Sequence, residues 1–75
     1  MTTAHIEALM RNVIVHRRLP FTFHSASPAA DAWHIVVCDV AGAPLSLTVP
    51  AGRPLDIRRE IEERLETAVE DAASR

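Results

Sequence analysis

The stretch from Trp33 to Pro50, WHIVVCDVAGAPLSLTVP, predicts a β-hairpin and decides the fold. Its centre, Asp39-Val40-Ala41-Gly42, has the composition of a type I turn, in which Asp bonds to the turn backbone and Gly tolerates a positive φ. A type I turn followed by a left-handed glycine is the usual three-residue hairpin loop with a bulge. The loop is therefore predicted to be Val40-Ala41-Gly42, with Asp39 paired to Ala43.

This loop sets the register of the two strands, because side chains alternate between the faces of a sheet. One face is entirely apolar and holds the pairs Val37 with Leu45, Ile35 with Leu47 and Trp33 with Val49. The mixed face of the hairpin holds His34, Val36 and Cys38 opposite Thr48, Ser46 and Pro44. A slip of one residue would bury Ser and Thr, so the register should be strongly specified.

A first amphipathic helix is predicted before the hairpin. Its apolar residues recur at helical period and are Ile6, Leu9, Met10, Val13 and Ile14. Thr2 or Thr3 can cap its start. We place its end near Arg17, because Pro20 disfavours helical geometry at the preceding residue.

A second helix is predicted after the hairpin, with Pro54 in its first turn, where a missing N–H costs nothing. Its narrow apolar stripe is Leu55 or Ile57, then Ile61, Leu65, Ala68, Val69 and Ala72. Three i, i+4 ion pairs are expected along it, namely Arg58–Glu62, Arg59–Glu63 and Glu60–Arg64. Residues 71–75 are expected to fray.

The segment between the first helix and the hairpin carries one short alternating run. Phe21 to His24 is predicted to form a strand with both Phe side chains toward the core and Thr22 and His24 outward. Ser25 to Ala32, SASPAADA, has the composition of a loop. The fold class is therefore α+β in α-β-β-β-α order, a single domain over residues 1–75 with two helices packed on one face of a three-stranded antiparallel sheet.

Composition narrows the functional classes. The 75 residues include one cysteine and carry a net charge of −2, with every basic residue an arginine, a usage typical of GC-rich bacterial genomes. No internal disulfide can form, no apolar run is long enough for a membrane span, and the start MTTAHIEALMRN lacks the order of a signal peptide. We therefore expect a cytoplasmic protein that binds no membrane, and the negative charge argues against a generic nucleic-acid binder.

The residues capable of chemistry do not form a recognisable motif. The histidines His5, His16, His24 and His34 lack the close spacing of a zinc site, so neither a metal nor another cofactor is predicted. His24 and His34 would lie near each other only if their strands pair. Cys38 lies in an apolar strand with no evident neighbouring base to activate it, which favours a structural thiol over a catalytic one.

An arginine patch is the alternative site. Arg53, Arg58 and Arg59 cluster at the start of the second helix, where free backbone N–H groups attract phosphate. Together with Arg17 and Arg18 they would make a basic surface for RNA or DNA. The strongly acidic residues 60–71 on the same helix would repel a nucleic-acid backbone.

The predicted order of elements resembles that of double-stranded-RNA-binding domains and of HicA-type toxins, which are small ribonucleases of related fold. The segments that carry the resemblance are Leu47-Thr48-Val49-Pro50 and Arg58-Arg59. The toxin resemblance implies a catalytic role for His34, but the family's Gly-Ser before that histidine is Ala32-Trp33 here. The RNA-binding domains have a Lys-rich start to the second helix, whereas this chain has two Arg and no Lys there. The resemblance is one of topology, which does not carry function.

The leading prediction is a small non-catalytic domain that acts through protein–protein contacts, as a homodimer or with another protein. In so small a domain, pairing of sheets would add burial that the monomer lacks. The predicted interaction residues lie on the mixed face of the hairpin and are His34, Val36, Cys38, Ser46 and Thr48.

Overall fold

The structure, a computed structural model, describes residues 2–73 and confirms the α+β fold in α-β-β-β-α order. The elements are α1 (Thr3–His16), β1 (Thr22–Ala29), β2 (Ala32–Cys38), β3 (Pro44–Pro50) and α2 (Pro54–Ala73). The strands form one antiparallel sheet in the order β1-β2-β3, so β2 is central and the other two are edges. Both helices contribute to a core on one face of this sheet.

The first helix begins with a capping box. The Thr2 hydroxyl accepts from the His5 N–H at 3.3 Å, and His5 Nδ1 lies 3.4 Å from the Thr2 backbone N–H. Such a box satisfies two backbone donors that a helix start leaves free. At the other end Arg17 is the C-cap and Arg18 takes a φ of 53°, which confirms the predicted end near Arg17. Of the two threonines predicted as possible caps, the structure selects Thr2.

The hairpin has the predicted loop and register. Gly42 N–H donates to the Asp39 carbonyl and Asp39 N–H donates to the Ala43 carbonyl, each at 3.0 Å. Asp39 Oδ1 also accepts the N–H groups of Ala41 and Ala43 at 2.9 Å. The three apolar cross-strand pairs and the three pairs of the mixed face form as expected. The Asp39 side chain therefore stabilises the turn by accepting two of its backbone N–H groups.

The two glycines of the chain allow a matched test of this turn. Gly42 has a φ of 84° and Gly52 has no positive φ, while a methyl group added at either would meet no atom within 4 Å. We expect Gly42→Ala to lower the free energy of unfolding by about 1–2 kcal/mol, because an L-residue is strained at positive φ. Gly52→Ala should be neutral or stabilising by up to about 1 kcal/mol. Urea unfolding of both variants measures the difference, and equal losses would contradict the assigned turn.

The prediction for the segment 21–32 is wrong in its extent. Phe21 precedes the strand, and β1 continues through Ala29 instead of ending at His24, so most of the predicted loop pairs with β2. The reason is a β-bulge. Phe23 pairs with Val37 and Ser25 pairs with Val36, which leaves His24 without a partner. The extra residue inverts the alternation after it, so that serines face outward and the rest of the strand stays paired.

The core lies between the sheet and the two helices. Its buried residues are Ile6, Met10, Val13, Trp33, Ile35, Val37, Leu47, Val49, Ile57, Ile61 and Leu65. Trp33 is 7% exposed, which confirms its predicted place in the core. Phe21 and Phe23 are half-buried against the core, as expected for their predicted direction. No polar or charged side chain is buried within residues 2–73.

The second helix buries residues of the predicted apolar stripe, and the structure decides between Leu55 and Ile57 as its first member. Ile57 is buried and Leu55 is 79% exposed, so the stripe begins at Ile57. Two of the three predicted ion pairs form, Arg58–Glu62 at 3.6 Å and Glu60–Arg64 at 3.0 Å, but Arg59 and Glu63 do not pair.

Helical structure persists to Ala73, so fraying is not seen over 71–73; Ser74 and Arg75 lie outside the described residues. Among the described helices, neither has the length and apolar character needed to cross a membrane.

Candidate interaction surface

The sheet face turned away from the helices, here called the outer face, combines residues of all three strands. Cross-strand partners share a face, so the pairings place four residues of each strand on it. These are Thr22, Ser25, Ser27 and Ala29 of β1, Ala32, His34, Val36 and Cys38 of β2, and Pro44, Ser46, Thr48 and Pro50 of β3. None of them is Asp, Glu or Arg, although a quarter of the chain is charged.

The five predicted interaction residues all lie on the outer face. His34, Ser46 and Thr48 are exposed, whereas Val36 and Cys38 of the central strand are half-buried by their neighbours. The predicted outward direction of Thr22 is confirmed, but the sequence reasoning missed Ser25 and Ser27 of β1, which add two further hydroxyl groups to this face. The alternation of residues 25–29, SASPA, is typical of a strand. Its outward positions are shifted by one residue relative to those expected from Phe21 and Phe23.

Both edges of the sheet are blunted by proline. Two backbone hydrogen bonds, Asp39 N–H to Ala43 and Ala51 N–H to Asp31, fix the phase of the β2–β3 ladder. In that phase Pro44 and Pro50 lie at positions of β3 whose backbone points away from β2. The same alternation directs Pro28 of β1 away from β2. Proline has no N–H to donate, so these positions cannot complete a ladder with an added strand.

The histidines do not assemble into a site. His34 lies between Ser27 and Thr48 on the outer face. His24 is the unpaired residue of the bulge, so it is not directly opposite His34. The predicted proximity of His24 and His34 therefore does not arise from direct cross-strand pairing. Within residues 2–73 no group of three or more His, Cys, Asp or Glu side chains is placed to hold a metal ion.

The predicted arginine patch is partly neutralised. Arg17 Nε donates to Glu62 Oε2 at 2.6 Å and its guanidinium lies 3.5 Å from Glu66, which raises the pKa of Arg17 through the hydrogen bond first and charge attraction second. Arg58 shares Glu62 at 3.6 Å. Three of the five arginines of the predicted patch form no ion pair within residues 2–73, namely Arg18, Arg53 and Arg59. The pairing of Arg17 links the end of α1 to the middle of α2.

The outer face can therefore offer hydroxyl, imidazole and thiol groups on a flat surface without formal carboxylate or guanidinium charge. The geometry suits contact with another neutral surface better than charge-based recognition of phosphate, because phosphate binding relies on Lys and Arg. No protein-family model, curated protein or solved structure matches this chain.

Proposed function

We propose that this chain is a small non-catalytic domain that acts through protein–protein contacts made by its outer face, with a homodimer as the form tested first. The single observation that carries the proposal is a sheet face of twelve residues without an acid or an arginine. Interface centres are depleted in charged residues relative to the rest of a protein surface. Charged residues lie elsewhere on the protein surface, as the ion pairs of α2 illustrate.

The geometry favours face-to-face packing over edge-to-edge pairing. Adding a strand to β1 or β3 requires a row of free backbone N–H groups. Pro28 on one edge and Pro44 and Pro50 on the other remove donors from those rows. The bulge at His24 bends the β1 edge further. Two sheets packed through their outer faces need no backbone donors at all.

The size of the face supports a weak, reversible association. Seven residues along β2 and three strands across give a flat area of about 23 × 14 Å, or roughly 330 Å². Stable interfaces bury about 800 Å² per partner, so this face is less than half of that size and falls below the stable class. We therefore expect a dissociation constant in the micromolar range or weaker.

Sedimentation velocity of the full chain, from low micromolar to near-millimolar concentration, tests the homodimer. We expect the sedimentation coefficient to rise with concentration toward that of a dimer. Ser46→Arg places a charge on the outer face and should keep the chain monomeric, because each copy would then bury an unpaired guanidinium. Thr67→Arg adds the same charge on the exposed side of α2 and is the matched control.

A strict monomer at near-millimolar concentration would remove the homodimer. If Thr67→Arg and Ser46→Arg weaken dimerisation equally, the dimer contact does not lie on the outer face.

The alternative proposal is an RNA- or DNA-binding module that uses Arg17, Arg18, Arg53, Arg58 and Arg59. The acidic partners of Arg17 and Arg58 compete with phosphate for both side chains. Salt-dependent retention on nucleic acid that weakens in Arg58→Ala with Arg59→Ala would favour this alternative over the protein-contact role. A nuclease acting through His34 is the least supported proposal, since Ser27 and Thr48 are its cross-strand neighbours and neither is a base.

A further inference from the structure

A second surface feature lies at the turn end of the hairpin, where it borders the outer face at Pro44. It is a groove of about 370 Å³ between the hairpin loop, the start of β1 and the last part of α2. Its lining residues are Pro20, Phe21, Asp39, Val40, Ala43, Pro44, Leu45, Ala68, Val69, Asp71 and Ala72. The volume is at the lower end of the range for ligand sites, enough for one or two large side chains.

Most of the groove wall is apolar. Phe21, Leu45 and Val69 are only half-buried by the core beneath them, so each leaves apolar surface toward the groove. Val40 at the tip of the turn is 89% exposed. Burying such surface is favourable by about 25 cal/mol per Å². The groove therefore offers binding free energy to an apolar side chain.

The charges of the groove are of one sign. Asp39 and Asp71 line it, and none of its lining residues is Arg or His. Neither carboxylate forms an ion pair within residues 2–73. One oxygen of Asp39 is occupied by the turn amides, but these neutral donors leave its negative charge in place. An apolar hollow with two uncompensated carboxylates complements a ligand that is apolar and cationic.

We propose that this groove docks a short segment of a partner protein that inserts an apolar side chain between Arg or Lys residues. The inserted side chain would fill the hollow, and the flanking cations would meet Asp39 and Asp71. Nucleic acid does not fit, because its phosphates would be repelled by both carboxylates. This inference goes beyond the proposed function, since the groove shares only Pro44 with the outer face.

The test is an NMR titration of the full ¹⁵N-labelled chain with a synthetic peptide of alternating Leu and Arg, compared with a peptide of alternating Leu and Glu. The Leu-Arg peptide should shift the amides of Phe21, Val40 and Val69, and leave those of His34 and Ser46 unchanged. The Leu-Glu peptide should shift neither group. Because the readout separates the groove from the outer face, failure here is distinguishable from failure of the homodimer.

Paired variants test the charge of the groove. Asp39→Asn with Asp71→Asn removes both charges but keeps an acceptor oxygen for the turn amides. It should weaken binding of the Leu-Arg peptide about tenfold. Asp31→Asn with Glu63→Gln removes two exposed charges outside the groove and should change the affinity by less than about twofold. Ala72→Trp, which fills the groove, should abolish the shifts.

Four results would overturn the proposal. These are an absence of shifts at millimolar peptide, equal shifts with the Leu-Glu peptide, equal weakening by the two pairs of variants, and shifts of the groove amides on concentrating the protein alone. The last result would make a second copy of this chain the occupant.

Discussion

Ile35→Ala is expected to remove much of the stability of this domain. Ile35 is fully buried in the central strand, on the core face, between Ala26 of β1 and Leu47 of β3. Truncating a buried isoleucine costs about 2–5 kcal/mol, since apolar contacts are lost and a cavity remains. A chain of 75 residues has a total stability of only about 4–11 kcal/mol, at 0.05–0.15 kcal/mol per residue. Urea unfolding followed by the fluorescence of Trp33, the sole Trp, measures the loss.

The next residue along the strand provides the matched control. Val36 is half-buried on the outer face, so Val36→Ala removes two methyl groups from the opposite side of the same strand. We expect a loss of no more than about 1 kcal/mol, as for a partly exposed strand position. Both variants should be measured at low protein concentration, where association contributes little. Comparable losses would mean that the two faces of β2 are assigned wrongly.

The hairpin and α1 were predictable because local chemistry and apolar pattern agree there. The Asp39–Gly42 turn fixes a loop length, and the loop length fixes which residues are opposite each other. The apolar alternation of both strands then permits one register only. In α1, a threonine cap and a stripe of helical period coincide in the same way. Agreement of independent local signals is what makes such a segment decisive.

The extent of β1 was not predictable by the same reasoning. The residues SASPA are small and polar, and their period is out of phase with Phe21 and Phe23 by one residue. The segment is ordered into a strand by its pairing with β2, a non-local interaction that composition does not report. A bulge is visible in a sequence only as a break in alternation, which is also what a loop looks like.

The candidate sites differ in the same way in how far the sequence predicts them. The hairpin half of the outer face follows from the register, so His34, Val36, Cys38, Ser46 and Thr48 were identified together. The groove combines the turn, the start of β1 and the last part of α2, so no contiguous pattern indicates it. The pairing of Arg17 with Glu62 spans 45 residues and is equally invisible to i, i+4 reasoning. Sites made by one element are thus predictable, and sites between elements require the fold.

Deletion of Ser27 should have the second-largest effect, although its side chain is exposed on the outer face. If the bulge is kept, Pro28 moves opposite His34, where its nitrogen points at β2 and has no hydrogen to donate. If the bulge is lost, Ser25 moves opposite Ile35 and its hydroxyl turns toward the core. Each outcome places one residue at a position that the paired strand disfavours.

The expected cost is about 1–3 kcal/mol, because a ladder hydrogen bond is lost or a hydroxyl group is buried without a partner. Deletion of His24 is the matched control. It also shortens β1 by one residue, but it leaves Phe23 on the core face and Ser25 on the outer face, so that the ladder becomes regular. It should cost less than about 1 kcal/mol. Urea unfolding of the two variants at equal concentration measures the difference. If the two deletions cost the same, the extra residue of β1 is not at His24, and Ser25 and Ser27 lose their assigned place on the outer face. Since Ser27 belongs to the neutral surface proposed as an interface, its deletion should also weaken any concentration-dependent association, whereas deletion of His24 should leave it intact.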